Sequence, residues 1–146
     1  LVGSEMCIRD SKRDLKKGRT SPAVERLIEC NILLSGVGFE SGGLALAHAI
    51  ANGLTILPEC KAMHGEAVAF GLVVQLRLER APELDQVLEF CQRVGLPTTL
   101  AELGLGEISD TDLMSVADAV FRNERNMANE QAKVTKQKLV QLMCEA

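Results

Sequence analysis

Tryptophan and tyrosine are absent from this 146-residue chain, and four phenylalanines supply all its aromatic content, 3% of the residues. A core therefore has to be built from leucine, valine, isoleucine and alanine, which fits an apolar content of 47%. Aliphatic side chains recurring at helical spacing imply packed helices. No stretch shows the strict alternation of a half-buried strand, so the expected fold is all-α. A surplus of positive charge is also missing. The formal net charge of −4 excludes the broad basic field on which non-specific nucleic-acid binding depends. The one basic cluster, Lys12, Arg13, Lys16, Lys17 and Arg19, is short and is expected to be solvated. No uninterrupted apolar run approaches the ~18 residues of a membrane span, and no signal-peptide pattern opens the chain. The five cysteines, Cys7, Cys30, Cys60, Cys91 and Cys144, are odd in number and include no C-x-x-C. That is the usage of free thiols in a reducing compartment. The chain is expected to be cytoplasmic, with neither membrane nor nucleic acid as a partner.

A chain of this length fits one domain and can bury about 68–70% of its unfolded surface. Leu1 to Asp10 carries no helical or strand period and resembles a translated adapter sequence. Residues 1–19 are therefore expected to be non-native or disordered, and 20–146 to form the helical domain. Ser21-Pro22 reads as an N-cap followed by proline at the first helical position. Val24, Leu27, Ile28 and Ile32 then recur at helical spacing until Gly36, and Val37 to Gly43 reads as a glycine-rich turn. Gly42-Gly43 are expected to permit close helix packing. A second helix, about Gly43 to Ala51, should stop at Asn52-Gly53. A third runs from near His64 to about Glu79, with Val68, Leu72, Leu76 and Leu78 as its apolar stripe. A fourth covers about Glu83 to Val94 and ends at Gly95. A short helix from Pro97 to Leu103, one from about Thr111 to Arg125 capped by Ser109 or Asp110, and a last one over Thr135 to Cys144 complete an irregular multi-helix bundle.

Histidine is scarce too, with only His48 and His64 present. Each lies on a helical segment, and a glycine- and proline-containing turn joins the two. Neutral imidazole is a common metal ligand, and two projecting from successive helices could meet at one point. A catalytic zinc site takes three protein ligands and keeps a fourth position open. Two ligands make only part of such a site. Cys60 lies between the histidines and is expected to be structural.

The run Asn31 to Ile50, with Gly-Phe-Glu-Ser-Gly-Gly-Leu-Ala-Leu-Ala-His, resembles the glycerol dehydrogenase family, as does His-Gly-Glu-Ala-Val-Ala-Phe-Gly at His64 to Gly71. Arg93 to Leu105, with Gly-Leu-Pro-Thr-Thr-Leu, resembles the same proteins. They belong to the iron-containing alcohol dehydrogenase superfamily, whose fold dehydroquinate synthase shares. The likeness covers only the family's C-terminal helical metal-binding domain. It implies that His48 and His64 bind a catalytic zinc, and that Phe39 lines the substrate pocket. The third zinc ligand, an aspartate, and the NAD-binding domain would lie upstream. The implied reaction is oxidation of a polyol, glycerol to dihydroxyacetone, with zinc polarising the hydroxyl and NAD taking the hydride. The full-length protein is expected to be a homo-oligomer, and this fragment to be inactive alone. Ala51 stands where the family often has a second histidine, and the connection between the ligand histidines is slightly short.

Two other readings keep part of this picture. A dehydroquinate synthase-like enzyme would share the histidine arrangement but needs cations for an anionic substrate. Residues 36–57 contain no Arg or Lys, which counts against it. A stand-alone helical module for interaction or assembly would bind zinc weakly and expose apolar helix faces.

Overall fold

The computed structural model describes residues 11–146, the Phe39 side chain excepted. Residues 11–16 are helical, and seven further helices follow among the described residues. These are α1 (Pro22–Gly42), α2 (Leu46–Leu54), α3 (His64–Glu79), α4 (Leu84–Val94), α5 (Asp110–Arg122), α6 (Glu124–Met127) and α7 (Lys136–Glu145). No strand occurs among the described residues, as the aliphatic composition predicts. The chain divides into two compact units at Gly43 and Leu44.

In the first unit, the Ser21 hydroxyl accepts the Val24 N–H at 3.4 Å, giving α1 the N-cap expected of Ser21-Pro22. The same hydroxyl, and then Arg19 at 3.1 Å, hold the Asp14 carboxyl below its ordinary range. The helix does not stop at Gly36. Gly36 and Gly38 stay helical, and the first glycine after Ser21 with a positive φ is Gly43, at 68°. A glycine ends a helix when it turns left-handed, and only Gly43 does so here. Gly42 is not a close-packing position, since a Cβ there would meet nothing within 4 Å.

The second unit is built around α2. Leu46, Ala49, Ile50, Ala51 and Leu54 are all fully buried, so this short helix is covered on nearly every side. It packs on α3, α5 and α6, while α7 closes over α5 and α3, and α4 rests on α3. Phe70, Val74, Leu113, Val116, Val120, Leu139 and Met143 fill the space between them. Asn52-Gly53 does not cap α2, because Gly53 lies inside it. A Cβ on Gly53 would come within 2.9 Å of Val120 Cγ2 and 3.2 Å of the Val116 carbonyl oxygen. The glycine lets α2 and α5 approach closely.

Helix α3 has the predicted bounds but a different buried face. Ala67, Phe70, Gly71, Val73 and Val74 are buried, whereas Leu72 is exposed and Val68, Leu76 and Leu78 are half-buried. The sequence of α3 is apolar nearly all round, so periodicity leaves its facing open. Gly71 decides it by lying against the Ala47 backbone of α2. Arg80, left-handed at φ 53°, ends α3, and Gly95, at φ 81°, ends α4. The expected helix Pro97–Leu103 is instead a series of turns, closed by Gly104 at φ 79°. The long helix expected over Thr111 to Arg125 breaks at Asn123. Its side chain accepts the Asn126 N–H at 3.3 Å and so competes with the helical backbone.

Glu102 organises the turn after α4. Its carboxylate accepts the Thr98 N–H at 2.7 Å, the Thr98 hydroxyl at 3.1 Å and the Thr99 N–H at 3.3 Å. The Thr98 backbone bond contributes most to holding this carboxyl below its ordinary 4.5. A carboxyl with a depressed folded-state pKa stabilises the fold above its ordinary value and loses that contribution as pH falls through the folded value. Glu102→Gln is therefore expected to flatten the acid limb of stability below about pH 4.5, with the urea midpoint followed from pH 6 to pH 3 as the measurement. An unchanged acid limb would show that the turn does not depend on the charge.

Candidate metal centre

The sequence places the two histidines sixteen residues apart, and the fold brings their rings together. The His48 and His64 ring centroids are 5.8 Å apart with planes inclined by 53°. His48 sits in the first turn of the buried helix α2 and is half-buried, while His64 is the first residue of α3 and exposed. Burial pushes the His48 pKa down first, and the neighbouring His64 pushes it further down. A neutral ring is the form that ligates a metal.

Three contacts hold this pair in place. The first is the approach of α2 to α3 at Ala47 and Gly71. Ala47 immediately precedes His48, and a Cβ on Gly71 would fall on the Ala47 carbonyl oxygen. The second is the Ala47 N–H, which donates to Gln75 Oε1 at 2.9 Å. Ala45, the N-cap of α2, makes no side-chain cap, so Gln75 satisfies one of the free N–H groups of that first turn from a neighbouring helix. Glu79 Oε1 in turn accepts from Gln75 Nε2 at 2.8 Å. The third is Asn129, whose Nδ2 donates to the Leu44 carbonyl at 2.8 Å and anchors the chain just before α2. Neither Gln75 nor Asn129 was legible as a site residue, because each acts across a long sequence separation. Polar side chains on a mainly apolar helix and in a polar loop were the only signals.

Two imidazoles on one tetrahedral zinc, with Zn–N near about 2.1 Å, place their ring centroids roughly 5 Å apart. The observed pair is close to that arrangement, and its donors are the nitrogens zinc favours. No group of three His, Cys, Asp or Glu suited to hold a metal occurs among the described residues. The pair thus fits two of the three protein ligands of a catalytic zinc. Glu66 is occupied at the N-terminus of α3, where its Oε2 accepts the Met63 N–H at 2.8 Å. Cys60 is half-buried and packs against the core. Ala51, one turn after His48, is fully buried, so that position belongs to the core of this chain. The Phe39 side chain lies outside the described residues.

No protein-family model matches the chain. Glycerol dehydrogenase from Thermotoga maritima is 49% identical over 128 residues, which is 86% of this chain and 35% of that protein. Glycerol dehydrogenase from Citrobacter freundii is 50% identical over 121 residues, 81% of this chain and 33% of that protein. Among solved structures, a probable glycerol dehydrogenase from Sinorhizobium meliloti superposes with a TM-score of 0.86 at 35% identity, covering 96% of this chain and 41% of that one. The chain spans about a third of the length of the curated relatives it matches. In sequence, and in the all-helical fold of its described residues, this chain is similar to glycerol dehydrogenases over about a third of their length, consistent with a C-terminal piece of such a protein.

Proposed function

We propose that the chain is the metal-binding helical part of an NAD- and zinc-dependent dehydrogenase that oxidises glycerol to dihydroxyacetone. The juxtaposition of His48 and His64 carries this reading, and the similarity to glycerol dehydrogenases supports the substrate class. Zinc would supply Lewis-acid polarisation of the substrate hydroxyl, and NAD the hydride acceptor. His48 and His64 would hold the metal as neutral ligands, with a third ligand coming from outside the described residues. Gln75 and Gly71 keep His48 beside His64, so that the ligand geometry is set before the metal arrives. Phe39 would form an apolar wall against the carbon skeleton of the polyol. The whole protein would work in the cytoplasm as a homo-oligomer, and residues 1–146 alone would not reduce NAD.

The test is a chimera in which residues 44–146 replace the matching segment of the Citrobacter freundii enzyme. It is expected to reduce NAD with glycerol, and His48→Ala in the chimera to lower kcat/KM by roughly 100-fold or more. A folded chimera whose activity survives His48→Ala would overturn the reading. A second reading, an assembly module, draws on the exposed apolar residues of α1, Ile28, Ile32, Leu33, Leu34 and Val37. It predicts self-association that is indifferent to both histidines.

A further inference from the structure

The end of α3 remote from the histidines carries a feature that the metal chemistry does not use. A groove of about 510 Å³ opens there among α3, the start of α4 and α7. It is lined by Arg77, Arg80, Lys133 and Lys138, with leucines between them and Glu145 as the one acidic group. Its size falls within the usual span of small-molecule sites, about 300–1,000 Å³. Four cations against one carboxylate leave a local charge of +3 in a chain whose net charge is −4. General basicity does not explain the cluster. It lies about 20 Å along α3 from His64, at 1.5 Å per residue, and is therefore separate from the histidine pair.

Local structure explains some of these charges and leaves others unexplained. Arg77 is in the last turn of α3, where the helix dipole favours a cation. Its Nε is nevertheless buried with no hydrogen-bond partner, an unmet donor that costs stability. Arg80 is the one non-glycine residue with a positive φ among the described residues. Lys138 lies in the first turn of α7, which contains no acidic residue, and there the dipole disfavours a cation. Lys136 in the same turn is balanced by Asp118 at 2.6 Å, whereas Lys138 Nζ donates to the neutral Gln141 Oε1 at 3.2 Å. Glu145 accepts from the Gln141 amide, and among the described residues it forms no ion pair with the groove's cations. The cluster is left short of negative charge and short of acceptors.

We propose that this groove binds a small phosphorylated anion carrying two or more phosphoryl groups. Guanidinium groups match phosphate oxygens two at a time, and ammonium groups supply charge without fixed geometry. Arg77 and Arg80 would therefore orient the ligand, and Lys133 and Lys138 would complete its neutralisation. The overall negative charge of the chain opposes a nucleic-acid polymer at the same place.

The test uses the full 146-residue chain and pyrophosphate as the probe, titrated calorimetrically at two salt concentrations, with inorganic phosphate alongside. Saturable one-site binding is expected, roughly tenfold tighter for pyrophosphate than for phosphate. Lys138→Glu should weaken it by tenfold or more, without unfolding α7, because an acidic residue in the first turn suits the helix dipole. Lys61→Glu makes the same charge change at the other end of α3 and should leave binding nearly unchanged. Absence of saturation, equal loss in both variants, or no loss in Lys138→Glu would each overturn the proposal. Binding of a DNA oligonucleotide that pyrophosphate fails to displace would overturn it as well.

Discussion

Replacing Phe70 by alanine is expected to remove about 3–5 kcal/mol of stability, out of a total that for a domain of this size is about 5–15 kcal/mol. Among the described residues, Phe70 is the largest side chain that is fully buried. It lies in the cluster formed by α2, α3, α5 and α7. The other buried members of that cluster are aliphatic side chains and Met143, and a close-packed core cannot collapse fully into a ring-sized space. Urea unfolding read by circular dichroism measures the loss. A change below about 1 kcal/mol would mean that the core does not close around this ring. The approach of α2 to α3 is made at the next residue, so the truncation is expected to leave metal affinity of the folded variant nearly unchanged.

Gly71→Ala adds one carbon where Phe70→Ala removes six, and its effect falls on the histidines. The new Cβ would meet the Ala47 carbonyl oxygen, with the Ala47 carbonyl carbon 3.0 Å and its Cα 3.1 Å away. These are backbone atoms of α2, so no rotamer change can relieve the overlap. The two helices have to part. Overpacking of this kind costs about 1–3 kcal/mol, and the upper end is expected here. Because Ala47 adjoins His48, the shift also carries His48 away from His64. A cobalt or zinc titration of the folded variant should show an affinity at least roughly tenfold weaker, the loss typical of disturbed ligand support. Unchanged stability would show that the helices are not in contact at Gly71. Lost stability with unchanged affinity would show that the contact does not position the histidines.

Much of the fold was legible where a cap or a stop is chemically specific. Ser21 and Ser109 start their helices with hydroxyl groups that accept N–H bonds, and Gly95 ends α4 in the left-handed region. Those residues act through their own local chemistry, which no neighbouring helix can reverse. Glycines were misread in both directions. Gly36 and Gly38 resembled a turn but continue α1, and Gly53 resembled a cap but admits α5. A glycine in a sequence signals freedom without saying whether the backbone or a neighbour uses it.

By itself, the sequence determined the helical class, most helix bounds, the two imidazoles available for a metal and the resemblance that links them. All of these depend on local propensity, on caps or on residue identity. Tertiary structure alone decided which face of α3 is buried, and so that His48 and His64 lie 5.8 Å apart. It also recruited Gln75 to the N-terminus of α2 and Asn129 to Leu44. The reason is steric: α3 is apolar nearly all round, and the approach of α2 at Gly71 selects the buried face.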